Sequence, residues 1–142
     1  MRIYLIRHGE TDYNIKELVC GISEAMLSDK GIKQAQKLAD LLRNIDYNFL
    51  YVSPLQSAID TANYANVHQV EMIIEPRIRE FKFGKCEGVY RRDEKFLEIK
   101  HNLAYRYPGG ESFVELCKRV YEFLEEIKQQ AIENDVLLVC HG

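Results

Sequence analysis

Ile3-Tyr4-Leu5-Ile6 opens the chain as a short apolar run without polar alternation, and it stops abruptly at Arg7-His8-Gly9. Such a run predicts a strand buried on both faces. Ser28 can cap a helix reaching about Asn44, with Ile32, Ala35, Leu38, Ala39 and Leu42 at helical spacing on one side. Phe49-Leu50-Tyr51-Val52 predicts a second strand, and Pro54 falls where a first-turn proline opens a helix running to about Asn66. A third strand is predicted over 70–74. The pattern then loosens over 77–110, where a helix is expected only over 93–101. Ser112 and Glu115 have the spacing of a capping box, and the helix they open carries Leu116, Val120, Phe123, Leu124, Ile127 and Ala131 on its inner face. Val136-Leu137-Leu138-Val139-Cys140 is the last predicted strand and runs straight into His141-Gly142.

Strands alternating with helices predict an α/β fold, a three-layer sandwich around a mainly parallel central sheet. No repeat, low-complexity segment or linker divides the sequence, so one domain over 1–142 is expected. Ligands of such sheets gather at the carboxyl ends of the strands. Arg7-His8 and His141 both belong there.

Composition narrows the function. A net charge of -3 gives no bulk attraction to nucleic acid or an anionic membrane, so an anionic ligand must be held by a few placed cations. The four cysteines, Cys20, Cys86, Cys117 and Cys140, form no Cys-x-x-Cys pair and have no histidine at zinc-ligand spacing. They read as reduced thiols of a cytoplasmic protein. No stretch has membrane-spanning length, and no carboxylate cluster calls for magnesium or zinc; no metal and no cofactor is expected. Oligomeric state stays open, a homodimer included.

A metal-free site for a phosphate monoester needs cations and N–H donors around the oxygens, an in-line nucleophile, and an acid for the leaving oxygen. Arginine suits the first role through its planar, permanently charged fork. A neutral imidazole with one nitrogen fixed by a hydrogen bond suits the second. A carboxyl group kept protonated suits the third.

Arg7-His8-Gly9-Glu10-Thr11, followed by Asn14 at the end of the first strand, resembles the signature of the histidine phosphatase superfamily, whose fold is phosphoglycerate mutase-like. The resemblance extends along nearly the whole chain. It takes in Gly21, Glu24, Leu27, Ser28, Gly31, Gln34 and Ala35, then Ser53-Pro54-Leu55 with Ala58, Thr61 and Ala62. It continues through Arg79-Glu80-Phe81, Phe83-Gly84 and Glu87-Gly88, Pro108-Gly109-Gly110-Glu111-Ser112 with Arg119-Val120, and Val139-Cys140-His141-Gly142. It implies that His8 attacks phosphorus and becomes a phosphohistidine. Arg7 and His141 would bind the equatorial oxygens, Asn14 would add a donor, and Cys20 and Gly21 would line the substrate through their backbone. Glu80 would protonate the leaving group and then deprotonate the hydrolytic water. His68 and His101 match no part of the family pattern and are expected on the surface.

Two departures stand out. The family usually carries an arginine where this chain has Ser57, so the resemblance implies a substrate-binding position without charge and a slow enzyme, unless Arg77 or Lys82 reaches in. Family members also continue beyond the second histidine, with a helix covering the sheet, so the sequence reads as a C-terminally truncated domain. Were Gly142 the true end, its carboxylate would lie beside the phosphate pocket and repel the ligand.

The compact stretch from Phe83 to Pro108 resembles the small phosphatase branch, which includes α-ribazole phosphatases, and implies a phosphomonoesterase acting on a small-molecule phosphate ester. A phosphoglycerate mutase is the runner-up, and a phosphate-ester binder that lost turnover is the non-enzymatic alternative. The leaving group depends on 89–107. There Tyr90, Phe96, Tyr105 and Tyr107 form either a lid over an aromatic or ribose-bearing substrate or part of a solvated, charged helix.

Overall fold

The computed structural model describes residues 2–130 and 133–142; Ala131, an expected inner-face position, lies outside the described residues. Four strands, β1 (Ile3–Arg7), β2 (Phe49–Val52), β3 (Met72–Ile74) and β4 (Val136–Cys140), form one sheet in the order β1-β4-β2-β3. Every pairing is parallel. Five helices accompany them: α1 (Asp12–Ile15), α2 (Asp29–Leu42), α3 (Gln56–Ala65), α4 (Glu94–Lys100) and α5 (Phe113–Gln130).

Strand alternation sorts the core into two layers. Ile6, Leu50, Val52, Leu137 and Val139 point to one face, where Leu42 of α2 and Ala58, Ala62 and Ala65 of α3 pack on them. The small alanines let α3 lie close to the sheet. Tyr51, Val136 and Leu138 point to the other face and meet Phe123 and Ile127 of α5. The expected three-layer α/β sandwich with a parallel central sheet is therefore the fold observed.

Local chemistry explains most boundaries. The Ser28 side chain accepts the Gly31 N–H and caps α2. Ser112 and Glu115 exchange the two hydrogen bonds of a capping box at the start of α5, at 2.8 Å and 3.3 Å. Asp93 caps α4, and His101 closes it. The α3 boundary differs from expectation: its N-cap is Leu55, so Pro54 lies one residue before the cap rather than in the first turn. The third strand is shorter than 70–74, because Asn66 takes the backbone of Val70 into a local turn through its side chain.

Burial of β1 on both faces is not seen within the described residues. β1 is an edge strand; Ile6 is 9% exposed, but its neighbour Leu5 on the opposite face is 70% exposed. Helix α5 covers Leu138 and Tyr51 but does not reach over the edge, leaving a hollow between β1 and α5 lined by Ile3, Leu5, Val120 and Leu124. An apolar run reports that no polar side chain interrupts it, not what covers it.

Phe123, 1% exposed, joins α5 to the sheet. Phe123→Ala should destabilise the fold by about 3–5 kcal/mol, read as a lower urea midpoint.

Candidate active site

Three parallel strand ends build the site. The register pairs Arg7 with Cys140, and the His8 N–H continues it by donating to the Cys140 carbonyl at 3.0 Å. This brings His8 beside His141, with ring centroids 5.0 Å apart. On the other side of β4, the Ser53 N–H donates to the Val139 carbonyl at 2.9 Å, and Ser53 Oγ lies 2.7 Å from His141 Nε2.

The His8 ring is fixed by its own loop. Its Nδ1 is 2.7 Å from the Gly9 carbonyl oxygen. A carbonyl can only accept, so Nδ1 carries the hydrogen and Nε2 presents its lone pair. Burial holds the His8 pKa below the ordinary histidine value, with the charge of Arg7 acting in the same sense. Burial also pushes His141 down to about 3, assisted by His8 and Arg7. Both imidazoles are thus neutral at pH 7.

The loop after His8 is pinned by backbone contacts. The Gly9 N–H donates to Thr61 Oγ1 at 3.1 Å, and a Cβ on Gly9 would stand 2.5 Å from the Gly31 carbonyl oxygen. Only glycine allows the loop to rest on the first turn of α2. Asn14 Oδ1 accepts the Thr11 N–H at 3.0 Å, which leaves the Asn14 amide nitrogen as a donor for the cleft it lines.

Glu80 enters from the segment after β3. Burial raises its carboxyl to about 7, against the pull of the Phe81 N–H, which donates to Oε1 at 2.7 Å, and of the Arg7 and Arg119 charges. A buried ion pair holds this segment. Arg119 and Glu111, with side chains 11% and 9% exposed, meet at 2.6 Å. Arg119 also donates to the carbonyls of Arg77, Arg79 and Glu80 at 2.6, 2.9 and 3.1 Å. Burial favours the neutral form of Glu111, but Arg119 and the Lys82 N–H outweigh it and hold the carboxyl below its ordinary range.

Cys20 and Gly21 line the same cleft, of about 490 Å³. Glu87 ties down this loop by accepting the N–H groups of Ile22 and Ser23 at 3.0 and 2.8 Å. A Cβ on Gly21 would fall 2.3 Å from the Phe81 carbonyl oxygen, so that position too requires glycine. All four cysteines have free thiols; burial raises Cys20 to about 11, so it stays protonated at neutral pH.

Arg7, His8, Asn14, Cys20, Gly21, Ser57, Glu80 and His141 therefore all border one cleft. Neither expected substitute for charge at Ser57 does so. Arg77 turns away to Glu75 and Glu126, both at 2.7 Å, and Lys82 does not line the cleft. His68 and His101 are on the surface as expected.

The 89–107 stretch fits neither of its two expected forms completely. Phe96 and Tyr107 are buried against Phe81, with Phe83 and Tyr105 packed alongside, whereas Tyr90 is exposed and bonds Glu17. Phe83, Phe96 and Leu97 form an apolar wall of the cleft, and Arg91, Arg92 and Lys100 add basic groups to it. The tether of His141 to Ser53, the Arg119–Glu111 clamp and the approach of Arg91 were missed by sequence reasoning. The first two lay in quoted motifs, but their partners are set only by folding.

Parallel-sheet strand ends that gather two neutral imidazoles, an arginine and a raised carboxyl define a phosphate-ester-handling α/β class. The chain belongs to the histidine phosphatase superfamily (branch 1), whose family model matches residues 3–142. It is 32% identical to the adenosylcobalamin/alpha-ribazole phosphatase of Escherichia coli over 99% of this chain and 73% of the relative. The crystal structure of the alpha-ribazole phosphatase from Shigella flexneri matches with a TM-score of 0.89 at 31% identity, covering 99% of this chain and 74% of that one. A phosphoglycerate mutase from Thermus thermophilus matches with a TM-score of 0.84 at 29% identity, covering 100% and 78%. Family and relatives together support a phosphatase-type enzyme. Among the described residues no helix is long and apolar enough to cross a membrane.

Two outcomes follow from the buried charges. The folded Glu80 titrates near 7 rather than 4.5, so its contribution is intact at low pH and lost as pH rises through that window. Glu80→Gln should therefore gain thermal stability relative to the wild type between pH 5 and pH 8, checked by melting curves at both. Arg119→Met leaves Glu111 only the more distant Arg79 and the Lys82 N–H, frees three buried carbonyls, and should cost about 3 kcal/mol in urea unfolding.

Proposed function

We propose that residues 1–142 belong to one histidine-phosphatase domain, which hydrolyses a small-molecule phosphate monoester through a phosphohistidine on His8. The observation that carries this reading is the 2.7 Å contact from His8 Nδ1 to the Gly9 carbonyl, which leaves Nε2 as an unprotonated nucleophile. In the first step the Nε2 lone pair attacks phosphorus and the bond to the leaving oxygen breaks. The Glu80 carboxyl gives that oxygen its proton, a role suited to a group raised to about 7. Arg7, the Asn14 amide and His141 bind the phosphoryl oxygens, while Cys20, Gly21 and Ser57 shape the pocket. In the second step water attacks phosphorus, passes a proton to the Glu80 carboxylate, and the P–N bond breaks to release phosphate. No step calls for a metal.

Ser53 has a part in this scheme. Its hydroxyl can accept the Leu55 N–H at 3.4 Å and donate to His141 Nε2, leaving the hydrogen on Nδ1 for a phosphoryl oxygen. The apolar wall of Phe83, Phe96 and Leu97 suits a leaving group with hydrophobic surface. The match to a mutase structure favours phosphoglycerate mutation as the second reading. Phosphoryl transfer to a phosphoglycerate instead of water would decide for it.

Hydrolysis of p-nitrophenyl phosphate in the presence of chelator tests the mechanism. Turnover should be unaffected by chelator and vanish in His8→Ala together with the acid-labile phosphoprotein. Because Glu80 must be protonated, kcat/KM should fall as pH rises through about 7, and Glu80→Gln should lower kcat and remove that limb. A phosphoprotein that survives in His8→Ala would overturn the assignment. Folded protein that binds phosphate but never forms the intermediate would mark a binding module.

A further inference from the structure

Charge at the phosphate site is short by one. A phosphate monoester carries about 1.5–2 negative charges at pH 7. Both histidines are neutral, so Arg7 is the sole full positive charge among the ligands proposed above. Ser57, buried in the first turn of α3, offers a hydroxyl only.

The neighbouring arginines are committed elsewhere. Arg77 is held by Glu75 and Glu126, Arg79 and Arg119 by Glu111, and Arg92 by Glu17. Arg91 differs. Its backbone is fixed, since its N–H donates to the Glu17 carbonyl at 2.9 Å and Tyr90 bridges to Leu18. Its side chain is exposed, and among the described residues no carboxylate pairs with it. Glu17 senses its charge only as the weakest of several influences. A second hollow on the β1 side of the site also reaches His8, and the residues bordering both this hollow and the main cleft are Arg7, His8, Asn14 and Arg91. Three of those four are the proposed nucleophile and phosphate ligands. An anchored backbone carrying an uncommitted guanidinium is suited to bidentate capture of phosphoryl oxygens.

We propose that Arg91 is the second guanidinium of the phosphate site, delivered from the loop before α4 in place of the charge that Ser57 does not carry. The inference rests on the phosphomonoesterase reading of the same cleft. Arg91 touches the transferring phosphoryl group and balances charge as phosphorus passes from the leaving oxygen to His8, so it is a catalytic residue.

The test measures p-nitrophenyl phosphate turnover and, separately, the affinity for inorganic phosphate by calorimetry. Arg91→Ala should lower kcat/KM about a hundredfold and weaken phosphate binding, whereas Arg91→Lys should retain part of both. Arg43→Ala, which removes a remote surface charge, should change neither. Ser57→Arg should restore most of the loss in the Arg91→Ala background. Arg91→Ala that stays within about twofold of wild type in turnover and phosphate affinity overturns the role of Arg91. If His8→Ala also leaves turnover intact, the phosphohistidine reading fails as well, so the two failures are separable. Should the wild type lack turnover, the phosphate affinities still decide: equal binding by wild type and Arg91→Ala refutes the proposal, and a loss in the variant supports it.

Discussion

Strand β4 pairs with β1 on one side and β2 on the other, and this double register places the two histidines, Arg7 and Ser53. Arg7 opposite Cys140 sets His8 beside His141, and Val52 opposite Val139 sets Ser53 beneath His141. A one-residue slip would turn the alternating side chains of β4 to the wrong layers and exchange Leu137 and Val139 with Leu138. The burial that stabilises the sheet therefore also fixes the spacing of the two imidazoles. Burial lowers the His141 pKa first, and the nearness of His8 adds to it.

A second constraint acts on the segment that carries Glu80. It has no strand to hold it, and its two 3₁₀ turns, Pro76–Ile78 and Gly84–Cys86, are short. Arg119 from α5 supplies the missing order by binding three carbonyls of this segment while paired with Glu111. A buried ion pair is weak evidence for net stability, because desolvation offsets much of its attraction. Its effect here is positional: it seats Glu80 where burial raises the carboxyl while Arg7 stays near enough to oppose that rise.

The aromatic cluster of Phe81, Phe83, Phe96 and Tyr107 connects this segment to α4. Packing on the cluster turns the apolar face of α4 inward and leaves its charges outside, with Arg91 and Lys100 at the cleft margin. The apolar wall and the basic margin of the cleft therefore lie largely on α4 and the loop before it. Any rearrangement of α4 would alter the apolar wall and the basic margin together.

Residue order alone displays the four strands, the helices α2, α3 and α5, the caps of α2 and α5, and the chemistry gathered at the ends of β1 and β4, whereas the short α1 has no such signal. The displayed features are local: Ser28 and Ser112 bond residues within three positions, and the apolar periods belong to single helices or strands. Motif context likewise displays Arg7, His8, Asn14, Glu80 and His141 as candidates. Folding, by contrast, decides the strand order and which face of the sheet α5 covers, neither of which is written in an apolar run. Folding also spends Arg77 on Glu75 and Glu126 while Arg91 turns to the site, and it brings Ser53 to His141. Those outcomes depend on which residues distant in sequence become neighbours, and only packing of the sheet, its helices and the acid loop settles that competition.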